Sequence, residues 1–113
     1  MAKTFVPERG DVVWLAFDQS PKGHEQAGHR PALVLSPRSY NAKSKLCIAC
    51  PITSRTAKTW PFLVSLPDHG AVIADQVRCV DWKARKAKPK GKADPAVVQR
   101  VTALISRLIE PSD

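Results

Sequence analysis

The chain has 113 residues, 43% of them apolar and 25% charged, with a formal net charge of +8 and a sequence pI of about 9.8. That length leaves room for one core, so a single domain over residues 1–113 is expected, with the composition of a globular chain rather than a disordered one. No stretch reaches the roughly 18–20 apolar residues needed to cross a bilayer, and the opening MAKTFVPERGD lacks the apolar centre of a signal peptide, so a cytoplasmic protein without membrane contact is expected.

The first strong element signal is Asp11 to Phe17, DVVWLAF, a β-rich run between Gly10 and the turn-forming Asp18-Gln19-Ser20-Pro21. Trp14, mid-strand in that run, is expected in the core. A polar loop follows, and Arg30 to Leu35, RPALVL, reads as a second strand with Pro31 near its start, where a missing donor is tolerated. Ser39 to Ser44 reads as a turn or short helix, and Leu46 to Ile52 as a third strand with Thr53 at its exit. After the basic connection SRTAKTWP, Phe62 to Leu66 and Ala71 to Val80 read as further strands around the turn Pro67-Asp68-His69-Gly70. Five or six short strands with short connections predict an antiparallel, closed or half-closed sheet.

The last segment differs in kind. Asp94 suits an N-cap and Pro95 the first helical position, while Val97, Val98, Val101, Leu104, Ile105, Leu108 and Ile109 recur at helical spacing. An amphipathic helix of about 15 residues is expected, its apolar stripe packed on the sheet.

Charge is unevenly spread. No acidic residue lies between Glu25 and Asp68, and Lys83 to Lys92 carries six basic residues and no acid. Two such stretches favour a phosphate-binding surface over a merely solvated face, so polyanions are the expected partners. Cys47, Cys50 and Cys79 are an odd count, unsuited to a disulfide framework. Cys47 and Cys50 have CxxC spacing, but in a strand they face opposite ways and nothing completes a set of four ligands, so all three are expected to be buried structural thiols.

Chemistry concentrates in GHEQAGHRP, Gly23 to Pro31, where His24, Glu25, His29 and Arg30 lie within seven residues. A carboxylate, two imidazoles and a guanidinium supply acid, base and oxyanion stabiliser; a polar loop and a strand-edge arginine paired to a carboxylate would look the same.

The runs GDVVWLAFD, GHEQAGHRP, LVLSPRSYN, PITS, WPFLVSL and ADQVR, in that order over nearly the whole chain, resemble the successive blocks of the MazF/PemK/Kid toxins, most nearly the MazF branch. The resemblance implies a mainly β fold, a small SH3-like antiparallel barrel of the CcdB/PemK-like toxin type with a C-terminal helix. It further implies a homodimeric, ribosome-independent and metal-independent endoribonuclease, or mRNA interferase, that cuts single-stranded RNA at short sequences, needs no cofactor and is blocked by an acidic MazE-like antitoxin. By the same resemblance Arg30, Thr53 and Glu25 are catalytic candidates, and His29, Gln26, Ser54, Lys58, Trp60, Asp75 and Gln76 substrate-binding ones. One departure matters: the Kid and PemK branch has an arginine where this chain has Ile73.

The residue types suit the reaction. RNA carries its own nucleophile, the 2′-OH, so an enzyme must take its proton, stabilise charge on the phosphoryl oxygens and protonate the leaving 5′ oxygen. A guanidinium matches phosphate oxygens with forked donors, and a threonine hydroxyl can donate to the phosphate or orient the 2′-OH. Glu25 and His29 both remain candidates for the base. Trp60 either stacks on a base or closes the barrel, and Trp82 serves either core or dimer contact. Two other functions fit the charge or the barrel: a passive nucleic-acid-binding barrel, and a CcdB-like gyrase poison, although the C-terminal Trp-Gly-Ile of the latter is missing from LISRLIEPSD.

Overall fold

A computed structural model describes residues 4–16, 28–55 and 59–111. Strands β1 (Asp11–Ala16), β2 (His29–Val34) and β3 (Cys47–Thr53) form the centre of the sheet, with helix α1 (Arg38–Ser44) between β2 and β3. Then come β4 (Leu63–Leu66), β5 (Gly70–Ile73), a 3-10 turn (Ala74–Gln76), β6 (Arg78–Val80), β7 (Lys88–Lys92) and helix α2 (Pro95–Ile109). The seven strands run in the order β4-β5-β3-β2-β1-β7, with β6 also on β3, and every pairing is antiparallel. The fold is therefore the expected one, a curled antiparallel sheet with a C-terminal helix.

The central strands are apolar on both faces because both faces are covered. One core holds Val12, Leu33, Cys50, Ile52, Val64 and Val72 under Val98 and Val101 of α2; the other holds Val13, Leu15, Ala32, Ala49, Val80 and Trp82. Cys47 falls in the second core and Cys50 in the first, as the alternation of a strand requires. The helix is 15 residues long, as expected, and the Asp94 carboxylate caps it by accepting from the Ala96 N–H at 3.0 Å. Its last turn does not follow the expectation of a fully buried stripe, since Leu108 and Ile109 are 54% and 71% exposed.

Three expectations need correction. Ala71 to Val80 is not one strand: β5 and β6 meet β3 in registers offset by three residues, the length of the 3-10 turn between them. The polar Asp75-Gln76 pair, which would break the alternation of a continuous strand, sits in that turn. Second, part of the Lys83 to Lys92 run is a strand: β7 pairs with β1, the Lys92 ammonium meets the buried Asp11 carboxylate at 2.9 Å, and the Lys90 ammonium lies 5.0 Å from the centre of the Trp14 ring. The fold itself thus engages three of those cations, since the Arg85 guanidinium also donates to the Ala16 carbonyl at 3.1 Å. Trp14 is accordingly half-buried beneath a lysine rather than in either core. Third, Cys79 is exposed, while Cys47 and Cys50 are buried as expected.

Trp82 belongs to the core. Its indole N–H donates to the Asn41 carbonyl at 3.0 Å. The Asn41 side chain, fully buried, donates to the carbonyls of Pro7 and Ser36 and accepts from the Ser36 hydroxyl, fastening the amino-terminal segment to the β2–α1 corner.

Candidate active site

The start of β2, the end of β3 and the start of β5 lie at one end of the sheet, as the pairings Arg30 with Leu15, Pro51 with Ala32 and Thr53 with Ala71 require. A cavity of about 490 Å³ opens on that face. Arg30 and Thr53 line it from β2 and β3, Gln76 from the 3-10 turn and Arg78 from β6. Its floor includes Ala32, Ala49, Pro51 and Ile73, small or apolar groups that leave the polar ones to set the chemistry. Two guanidinium groups, a hydroxyl and an amide line the cavity, with no carboxylate among the described lining residues. Such a set attracts an anion and can donate to its oxygens from several sides.

Local contacts set Thr53. Its hydroxyl oxygen accepts from the Arg55 N–H at 3.0 Å, so its own O–H remains to be donated elsewhere. Behind it, Gly70 has φ +113°, and a Cβ there would stand 2.2 Å from the Thr53 carbonyl oxygen. Only glycine lets β5 pass this close to the end of β3. The 3-10 turn is held by the Cys50 thiol, which donates to the Ala74 carbonyl at 3.7 Å. Burial and then the nearby Asp75 charge push that thiol up to about 12; Cys47 is also pushed up to about 12, by burial and then by Cys79.

Of the expected site residues, the cavity brings together Arg30, Thr53 and Gln76. His29 begins β2 but is exposed and does not line the cavity, nor does the exposed Ser54. Asp75 points elsewhere, accepting from the Trp60 indole N–H at 3.3 Å. Trp60 is 47% exposed, tilted against Phe62 at a ring separation of 5.7 Å, and closes neither core. Glu25, Gln26 and Lys58 lie outside the described residues. Arg78 was missed, although it ends the ADQVR run that carries Asp75 and Gln76. It could have been found by asking which cation that run places two residues beyond Gln76.

Residues 8–109 match the family described as PemK-like, MazF-like toxin of type II toxin-antitoxin system. The chain belongs to that family. It is 45% identical to the endoribonuclease toxin MazF of Escherichia coli K12 over 96% of this chain and 99% of that one. With the Escherichia coli endoribonuclease PemK it shares 34% identity, covering 90% of this chain and 81% of the relative. Among solved structures, a MazE-MazF complex from Deinococcus radiodurans superposes with a TM-score of 0.86 at 45% identity, covering 96% of this chain and all of the matched one. MazF alone from the same organism gives 0.81 at 44%, covering 94% and 98%. Ile73 puts an apolar side chain in the cavity lining, and Arg78 supplies its second guanidinium beside that of Arg30. The family matches favour an endoribonuclease over the passive binder and the gyrase poison.

Proposed function

We propose that this toxin cuts single-stranded RNA in the cavity between Arg30 and Thr53, using the ribose of its substrate as the nucleophile. The chain is a MazF-like endoribonuclease toxin of a type II toxin-antitoxin system. The observation that carries the finer reading is the convergence of Arg30, Thr53, Gln76 and Arg78 on one cavity without a carboxylate among its described lining residues.

The 2′-oxygen attacks phosphorus, the bond from phosphorus to the 5′ oxygen breaks, and the products are a 2′,3′-cyclic phosphate and a 5′-OH. Arg30 meets the charge that grows on the phosphoryl oxygens and gives the leaving oxygen the proton that makes it a 5′-OH, while Thr53 donates its O–H to the phosphate or the 2′-oxygen. Glu25 or His29 takes the 2′ proton; Gln26, Gln76, Ser54, Lys58 and Trp60 contact flanking nucleotides, and Asp75 acts by holding Trp60. Nothing in this sequence of steps calls for a metal or cofactor, so cleavage should persist in excess chelator.

Arg30→Ala should lose at least about 10²-fold in kcat with the fold intact, measured on a defined oligonucleotide. Near-normal cutting by a folded variant, or cutting of a substrate with a 2′-deoxy sugar at the linkage, sinks the reading. The chain works in the cytoplasm as a homodimer, and sedimentation at twice its 12.4 kDa tests the latter. Its partner is an acidic MazE-like antitoxin, supported by the net charge of +8 and by the MazE-MazF complex it resembles.

A further inference from the structure

A second cavity, of about 630 Å³, lies over β4 and β5 and is not used by the steps above. Thr53 on β3 pairs with Ala71 on β5, and Ala71 pairs with Ser65 on β4, so the three share a face opposite to the buried row Ile52, Val72 and Val64. Ala71 and Ser65 line this cavity, which therefore begins one strand away from the catalytic hydroxyl, with Ser65 about 10 Å from Thr53 at ordinary strand spacing. Trp60 lines it on one side, its indole N–H already tied to Asp75 and its ring braced by Phe62. On the other side stand Asp68 and Gly70 of the β4–β5 turn.

The chemistry of this lining differs from that of the catalytic cavity. No cation is among its described residues, so it does not suit a phosphate. It has a fixed aromatic, a small floor, the hydroxyls of Thr59 and Ser65 and a carboxylate, which is what an unpaired base meets when it stacks and has its edge read. A carboxylate only accepts, so it favours an edge that carries an amine.

We propose that this cavity is a nucleobase subsite, which takes an unpaired base with an exocyclic amine from the strand adjoining the linkage cut in the first cavity. The proposal rests on the ribonuclease reading, and the test separates the two. Binding is measured with an oligonucleotide that carries a 2′-methoxy sugar at the cut linkage, replacing each nucleotide in turn by an abasic one; cutting is measured with the unmodified strand.

In the wild type, one position outside the scissile pair should lose about tenfold in affinity when its base is removed. Uracil there should bind about threefold to tenfold worse than cytosine or adenine. Ser65→Phe, an exposed position, fills the cavity and should erase the penalty at that position while the penalties at the scissile nucleotides persist. Asp68→Gly keeps the turn, since Asp68 already has φ 75°, and should erase the difference between uracil and the amine-bearing bases.

A wild type indifferent to bases outside the scissile pair overturns the proposal. So does a folded Ser65→Phe, or a Asp68→Gly if the former does not fold, with the same base dependence as wild type. A Ser65→Phe that binds RNA as before but loses an acidic peptide also overturns it, making the cavity a peptide pocket. The expected base dependence in an oligonucleotide that is bound but never cut supports the subsite and instead refutes the ribonuclease reading.

Discussion

Arg30 and Arg78 are far apart in sequence and share one cavity. Two guanidinium groups around one anion need not be equal. Arg30 accompanies Thr53 at the end of the sheet, whereas Arg78 enters from β6, opposite Ala49. Arg78→Gln, which keeps a donor but removes the charge, should weaken the enzyme mainly through KM, by roughly tenfold, against the kcat loss expected for Arg30→Ala; steady-state kinetics on one oligonucleotide compare them. The thiols divide just as clearly. Cys79 is exposed, while burial holds Cys47 and Cys50 at about 12 against an ordinary 9.0. A native sample at pH 8 should therefore give one fast-reacting thiol and a denatured one three. Because both buried values are raised, their contribution to stability is complete below pH 9 and is lost as the pH climbs toward 12, so the melting temperature should fall along that limb.

At the scale of elements, the site depends on how β5 meets β3. A side chain at Gly70 would collide with the Thr53 carbonyl, and φ +113° is a conformation that L residues rarely adopt. Gly70→Ala should cost about 2–3 kcal/mol in urea unfolding and should also lower kcat, because the strand end that carries Thr53 must shift. A variant with unchanged stability would show that the close approach is not required. The break between β5 and β6 has a matching role, since the three-residue turn gives β3 two partners on one edge and sends Gln76 to the cavity and Asp75 to Trp60. A continuous strand would have kept β3 in a single register along that edge.

For the whole molecule, the buried Asn41 joins parts of the chain that local sequence does not connect. It holds Pro7 and Ser36 through its side chain and Trp82 through its carbonyl, while the Ser36 hydroxyl accepts from the Ile48 N–H at 2.8 Å. Asn41→Ala would leave the Pro7 carbonyl and the Ser36 groups buried without this partner, at about 2–4 kcal/mol, read as a lower denaturant midpoint. Because Asn41 lies away from the cavity lining, the folded fraction should keep its kcat.

The sequence by itself determined the class of fold and the nature of the partner. The β-rich apolar runs of β1 to β4, the capped apolar stripe of α2 and the surplus of cations all express short-range spacing or composition, which survives without any knowledge of neighbours. The GHEQAGHRP and PITS runs likewise pointed to Arg30 and Thr53, because those residue types suit phosphate chemistry and the runs resemble a known family. Only the tertiary structure decided what each cation and ring faces. The KPKGK segment has two glycine or proline breaks and alternating lysines, so nothing local marks it as β7; pairing with β1 makes it a strand and takes Lys90 and Lys92 for Trp14 and Asp11. Arg78, Asp75 and Trp60 were likewise assigned by strand registers and contacts between distant residues, and such pairings are set by the packing of the whole sheet, which no window along the chain contains.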